Sequence, residues 1–135
     1  MKEKGSNFSK EQIQRFSNPP FLGEIPVPDG YATLRGECGD TMEVFLSVRD
    51  GRIERARFDT LGCEYSIACG NTAMEMAEGR SLPEALRISP ERIEEALGGL
   101  PPSHRHCAEL AIDTLRKAVL DCRVRSKDPW KKFYR

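Results

Sequence analysis

Side chains alternate between apolar and polar from Tyr31 to Gly62, and beyond Cys63 the alternation stops. Met42, Val44, Leu46 and Val48 alternate with Glu43, Phe45, Ser47 and Arg49, the pattern of a strand with one buried face. Asp50-Gly51 then marks a hairpin turn. A two-residue loop there would set Val44 opposite Arg57 and Leu46 opposite Arg55, which mixes the faces. A three-residue loop, Asp50-Gly51-Arg52 with Gly51 left-handed as a bulge, sets Val44 opposite Phe58 and Leu46 opposite Ala56. A slip of one residue turns every side chain over, so burial selects the second register. Tyr31–Arg35 supplies a third strand.

After Cys63 the period becomes helical. Ser66 can cap a helix that runs to about Glu78 and stops at Gly79. Ser81-Leu82-Pro83-Glu84 has the form of a capping box opening a short helix. Ser89-Pro90 starts another, with Ile93, Ala96 and Leu97 inward and Gly98-Gly99 at its end. A long helix follows from about Ser103 to Arg125, with Leu110, Ala111, Leu115, Ala118, Val119 and Cys122 as its apolar stripe. Strands followed by helices predict an α+β fold, a three-stranded antiparallel sheet with helices packed on one face.

Ahead of the sheet, residues 1–30 read as loosely held, with a flexible leader over 1–17. Ser9 and Gln12 could box a short helix carrying Ile13 and Phe16, which Asn18-Pro19-Pro20 ends. Residues 126–135 form a basic, aromatic tail that could dock on a partner or pack on its own domain. The Glu91-Arg92 and Glu94-Glu95 run reads as a solvated helix face.

At 135 residues the chain is one domain with tails and can rest on its own core. Lys+Arg and Asp+Glu both total 21, and this balance counts against a nucleic-acid partner. No apolar run is long enough to span a membrane, and the polar start MKEKGSNFSKEQ has no signal-peptide core. The expected address is cytoplasmic, where clustered cysteines more often bind metal or react than form disulfides. Five cysteines, an odd number, also disfavour a pure disulfide framework.

Three of those cysteines stand where a turn should meet a regular element. Cys38 lies between Glu37 and Gly39 just before the main strand, Cys63 between the last strand and a helix, and Cys107 in the first turns of the long helix. Partial positive charge at a helix N-terminus favours thiolate, the form that binds metal. His106 adjoins Cys107, and Asp40 follows Cys38 by two residues, so a fold that gathers them would make a Cys₃His set with a spare carboxylate. Such a set suits iron–sulfur or tetrahedral zinc chemistry. Spacing alone does not separate it from small buried residues, because free cysteine is often buried. Cys69 and Cys122 fall on packed helix faces and read as core, with a reserve thiol the alternative for Cys69.

Longer motifs carry more. Cys38-Gly39-Asp40-Thr41-Met42, then Ala56-Arg57-Phe58-Asp59-Thr60-Leu61-Gly62-Cys63, then Leu100-Pro101-Pro102 running to His106-Cys107, closely resemble the iron–sulfur cluster scaffold family of IscU and the NifU N-terminal domain. Asn18-Pro19 and Gly23 resemble that family's N-terminal Asn-Pro…Gly element. The resemblance covers about residues 18–125, which it marks as the scaffold domain. It implies a carrier without turnover chemistry that holds a nascent, transient [2Fe–2S] cluster and passes it to recipient apo-proteins. It places Cys38, Cys63 and Cys107 as cluster thiolates, His106 as a candidate fourth ligand, and Asp40 as the residue associated with cluster lability. Zinc can occupy such a site when no cluster is present.

The implied partners are a cysteine desulfurase delivering persulfide sulfur, and iron and electron donors such as a frataxin-like protein and a ferredoxin. A monomer or weak homo-oligomer is expected, with no nucleic-acid or membrane partner. The family's chaperone-recognition stretch commonly reads Leu-Pro-Pro-Val-Lys. Here it reads Leu100-Pro101-Pro102-Ser103-His104, which counts against a dedicated Hsp70-type chaperone and adds a second imidazole. The chain lacks the later NifU domains and so resembles a stand-alone scaffold.

Two rival readings remain. One is a zinc-bound sulfurtransferase or persulfide acceptor similar to SufU; that branch typically has arginine in place of His106 and a longer insertion before the last cysteine, and neither is found here. The other is a cysteine hydrolase using Cys107, which would need a positioned base and an oxyanion hole that no motif supplies.

Overall fold

The structure of the protein, a computed structural model, describes residues 10–37 and 39–127, without the side chains of residues 11, 14–16 and 127. Cys38, Ser9 and the tail from residue 128 therefore lie outside the described residues. The elements in order are α1 (Lys10–Ser17), β1 (Gly30–Arg35), β2 (Thr41–Arg49), β3 (Arg52–Leu61), α2 (Glu64–Ala77), α3 (Leu82–Ala85), α4 (Pro90–Ala96), a 3₁₀ turn (Pro102–His104) and α5 (Arg105–Lys127).

The three strands form one antiparallel sheet in the order β1-β2-β3, and helices cover one of its faces, the expected α+β architecture. Ala32 of β1, Met42, Val44 and Leu46 of β2, and Ala56 and Phe58 of β3 are all buried beneath α5 and α2. Burying a side chain such as Leu46 or Phe58 contributes roughly 1.5–3 kcal/mol. On the opposite face Phe45 packs against Tyr31, with ring centroids 5.2 Å apart. Glu43, Thr33, Arg57 and Asp59 share that outer face.

The hairpin reaches the expected partners by a different route. Val44 pairs with Phe58 and Leu46 with Ala56, but the loop has only two residues, because Arg49 pairs with Arg52. Asp50 and Gly51 both take positive φ, 54° and 77°, the geometry of a tight primed turn. The extra residue sits one step further on. Val48 pairs with Ile53 and Ser47 with Arg55, leaving Glu54 as a bulge. The tight turn matches the twist of the strands, and the bulge then restores the buried register.

The helices follow their punctuation. Ser81 and Glu84 form both halves of the capping box of α3. Pro90 opens α4, where Ile93 and Leu97 are buried. The whole expected stripe of α5 is buried, from Leu110 to Cys122. Cys69 and Cys122 are likewise in the core. Among the described residues no helix is long and apolar enough to cross a membrane.

Residues 10–30 are not loosely held. Gln12 is buried and donates from Nε2 to Gly99 O at 2.6 Å. Phe21 donates its N–H to Asn71 Oδ1 at 3.0 Å and accepts from Phe58 N at 3.0 Å, while Gly23 N donates to Phe58 O at 2.8 Å. The physical reason is the free edge of β3. Its unpaired backbone groups need partners, and the Phe21–Gly23 segment supplies them.

Candidate metal centre

Three chain segments meet at one end of the sheet. The turn between β1 and β2 closes with Gly36 N donating to Asp40 O at 2.7 Å, which brings Asp40 to the start of β2. Cys63 is the residue capping α2, in extended backbone geometry. An N-cap side chain ordinarily accepts from the first turn, but Cys63 makes no side-chain cap bond, so its sulfur is left for other contacts. His104 ends the 3₁₀ turn, and Cys107 is the third residue of α5.

Ser66 does not cap α2. It lies inside the first turn, fully buried, three residues after Cys63 and on the same helix face. Its hydroxyl stands 2.5 Å from Asp40 Oδ2 and 3.5 Å from Cys107 Sγ. Cys63 Sγ lies 3.9 Å from Ser66 Oγ. Gly62 permits this crowding: a Cβ there would stand 2.8 Å from both Asp40 Oδ2 and Ser66 Oγ. Ser66 was missed as a site residue. The i, i+3 spacing from Cys63 carried the signal.

Two ligand sets share Cys107. In one, the donor atoms of Asp40, His106 and Cys107 lie within 4.8 Å of one another; in the other, those of Cys63, His104 and Cys107 do. Cys63, Cys107, His106 and Asp40 are thus brought to one place, with His104 added; Cys38 is outside the described residues. His104 Nδ1 is 3.9 Å from Cys63 Sγ, and its ring stacks on Tyr65 with centroids 4.2 Å apart and planes at 26°. The two imidazole rings lie 6.1 Å apart.

The electrostatics depart from the expected helix-end effect. The Cys107 thiol is pushed up to about 12, first by burial and then by the neighbouring Cys63 and Asp40, with the Ser66 hydroxyl acting in the opposite direction. Burial outweighs the N-terminal field of α5 in the metal-free protein. A bound cation reverses this balance, because it is the largest local charge and deprotonates a coordinating thiol. Burial also raises Cys69 well above its ordinary value, with Cys107 and Cys63 adding to the shift. Tyr65 is raised by burial, then by Cys63 and Glu64.

Two sulfurs, two imidazoles and a carboxylate form a donor set for a thiophilic ion such as iron or zinc. A model of the NifU-like N-terminal domain matches residues 7–129. The iron–sulfur cluster assembly scaffold protein IscU 1 of Archaeoglobus fulgidus is 43% identical over 115 residues, covering 84% of this chain and 75% of that protein. The IscU scaffold protein of Azotobacter vinelandii is 38% identical over 119 residues, covering 84% of this chain and 92% of its own. Among solved structures, the putative SUF-system scaffold protein of Fervidobacterium islandicum AW-1 superposes with a TM-score of 0.70 at 20% identity, over 83% of this chain and 96% of that one. At that identity the likeness is one of fold.

Proposed function

We propose, from the premise that this chain belongs to the NifU-like N-terminal domain family, that it is a scaffold on which a [2Fe–2S] cluster is assembled and then handed to apo-proteins. The observation that carries this reading is the meeting of Cys63, Cys107, His106 and Asp40 from three separate segments at one end of the sheet. Cys38, two residues before Asp40, completes the proposed thiolate set.

The cluster is cargo here. A cysteine desulfurase delivers sulfane sulfur as persulfide on one of the site thiols, and ferrous iron joins. Two sulfane sulfurs need four electrons to become sulfide. Oxidation of two ferrous ions to ferric supplies two of them, and an external reductant of the ferredoxin type supplies the rest. Thiolates hold iron firmly, while Asp40 and a histidine are exchangeable donors suited to release. A frataxin-like protein fits the role of iron donor, and the work of the chain is to hold and transfer.

The test is anaerobic incubation with ferrous iron, cysteine, a desulfurase and a reductant. The expected result is charge-transfer absorbance in the visible, two irons and two sulfides per cluster, and transfer to an apo-ferredoxin. A folded protein that yields no such absorbance would sink the reading. One observation favours a second: two sulfurs and an imidazole also suit zinc. A zinc-bound persulfide acceptor similar to SufU would turn over persulfide with zinc retained and form no cluster in the same incubation.

A further inference from the structure

The site holds one imidazole more than the ligand set proposed above employs. His104 is half-buried. Its backbone N–H donates to Pro101 O at 2.8 Å, which closes the 3₁₀ turn. Its ring is stacked on Tyr65. These two restraints hold Nδ1 at 3.9 Å from Cys63 Sγ and a ring nitrogen within 4.8 Å of Cys107 Sγ. Around a tetrahedral ion with metal–sulfur bonds of about 2.3 Å and metal–nitrogen bonds of about 2.0 Å, donor atoms stand roughly 3.5–3.8 Å apart. The Cys63–His104 edge is therefore already close to that length. Asp40, by contrast, is engaged, because its Oδ2 takes the Ser66 hydroxyl at 2.5 Å.

We propose that His104 is a metal ligand, and that Cys63, His104 and Cys107 form the entry site for a single thiophilic divalent ion, Fe²⁺ or Zn²⁺, while Asp40 is still held by Ser66. This rests on the scaffold reading and deepens it. The incoming ion displaces the thiol protons of Cys63 and Cys107 to solvent. Water or a further donor fills the fourth position. Asp40 and His106 remain as the other set that includes Cys107, available once the Ser66 contact is released. The stack on Tyr65 makes that ring a positioning group for His104.

The sequence makes the test clean, because His104 and His106 are the only two histidines. In a His106→Ala protein, any imidazole on the metal must come from His104. Zinc-loaded wild type, His106→Ala and the double alanine variant are compared by X-ray absorption. The His106→Ala protein is expected to show imidazole scattering and the double variant none. In parallel, Co²⁺ titration of metal-free His104→Ala and His104→Asn should give affinities at least about tenfold below wild type, with far-UV circular dichroism unchanged. Absence of imidazole scattering in His106→Ala overturns the inference, as does wild-type Co²⁺ affinity in both His104 variants. Cluster reconstitution of the wild type separates the two ideas. No cluster together with the expected Co²⁺ and X-ray results removes the scaffold reading alone, whereas a normal cluster with undisturbed Co²⁺ binding in the His104 variants removes this inference alone.

Discussion

Ser66 Oγ stands 2.5 Å from Asp40 Oδ2 and 3.5 Å from Cys107 Sγ. A hydroxyl carries one proton and a carboxylate can only accept, so the proton goes to Asp40. The longer contact to Cys107 Sγ is the weaker branch of the same donor, and it favours the thiolate. Ser66 therefore bridges the Asp40 carboxylate and the Cys107 sulfur.

Removing that restraint should be visible twice. Ser66→Ala is expected to cost about 1–2 kcal/mol in the metal-free protein by urea unfolding, the loss of a part-buried hydrogen bond to a carboxylate. It should also shorten the lifetime of a reconstituted cluster in air, since Asp40 is freed. A lifetime equal to wild type would show that Ser66 does not restrain Asp40.

Asp40→Ala should act in the opposite direction. Without the carboxylate no oxygen ligand competes at Cys107, and water is admitted less readily. The expected outcome is a longer-lived visible absorbance in air. An unchanged or shorter lifetime counts against the role proposed for Asp40.

Gly62 is a sharper probe of the same crowding. Its missing Cβ would stand 2.8 Å from Asp40 Oδ2 and Ser66 Oγ and 2.9 Å from Ser66 Cβ. Gly62→Ala should cost about 1–3 kcal/mol as an overpacked site, measured by thermal unfolding, and should weaken Co²⁺ binding. A fully stable variant with wild-type Co²⁺ affinity would mean the three groups shift apart without consequence.

The thiols give the metal-free protein an alkaline weakness. Burial holds Cys107 at about 12 against an ordinary 9.0, so the folded state keeps its proton longer than the unfolded chain does. The stabilisation is full below about pH 9 and is lost as pH climbs toward about 12. Cys69 is raised in the same direction, again chiefly by burial. The urea midpoint should therefore fall above pH 9, and Cys107→Ala and Cys69→Ala should each flatten the fall. Identical slopes in all three proteins would contradict it.

Core and site cysteines should part company on reconstitution. Cys69→Ala and Cys122→Ala should keep the cluster at a stability cost of about 1 kcal/mol, while Cys38→Ala, Cys63→Ala and Cys107→Ala should lose it. Visible absorbance and thermal unfolding of each apo variant decide this. Loss of the cluster in Cys69→Ala with retention in Cys63→Ala would reassign the thiol in that segment.

Periodicity carried the sheet, because burying Met42, Val44 and Leu46 together admits one register. It did not place the bulge. The same partners follow from a longer loop or from an extra residue at Glu54, and only turn geometry distinguishes them. Local capping rules misplaced Ser66, which lies inside the first turn of α2 and satisfies Asp40, 26 residues away in sequence. The cysteine and histidine motifs marked the site region, but the sequence could not say which imidazole faces which sulfur. That depends on the Tyr65 stack and the 3₁₀ turn, both products of tertiary packing. Gln12 shows the same limit: its amide reaches Gly99, on the far side of the chain's order.

Helix α5 both roofs the sheet and carries Cys107, and it is the last element described. During synthesis, which proceeds from the N-terminus, the sheet and α2 therefore emerge before the site can exist. A chain halted before His104 would expose Val44 and Leu46 to solvent and hold Cys63 without His104 and Cys107. Both three-residue donor sets include Cys107, so neither exists until α5 has been made.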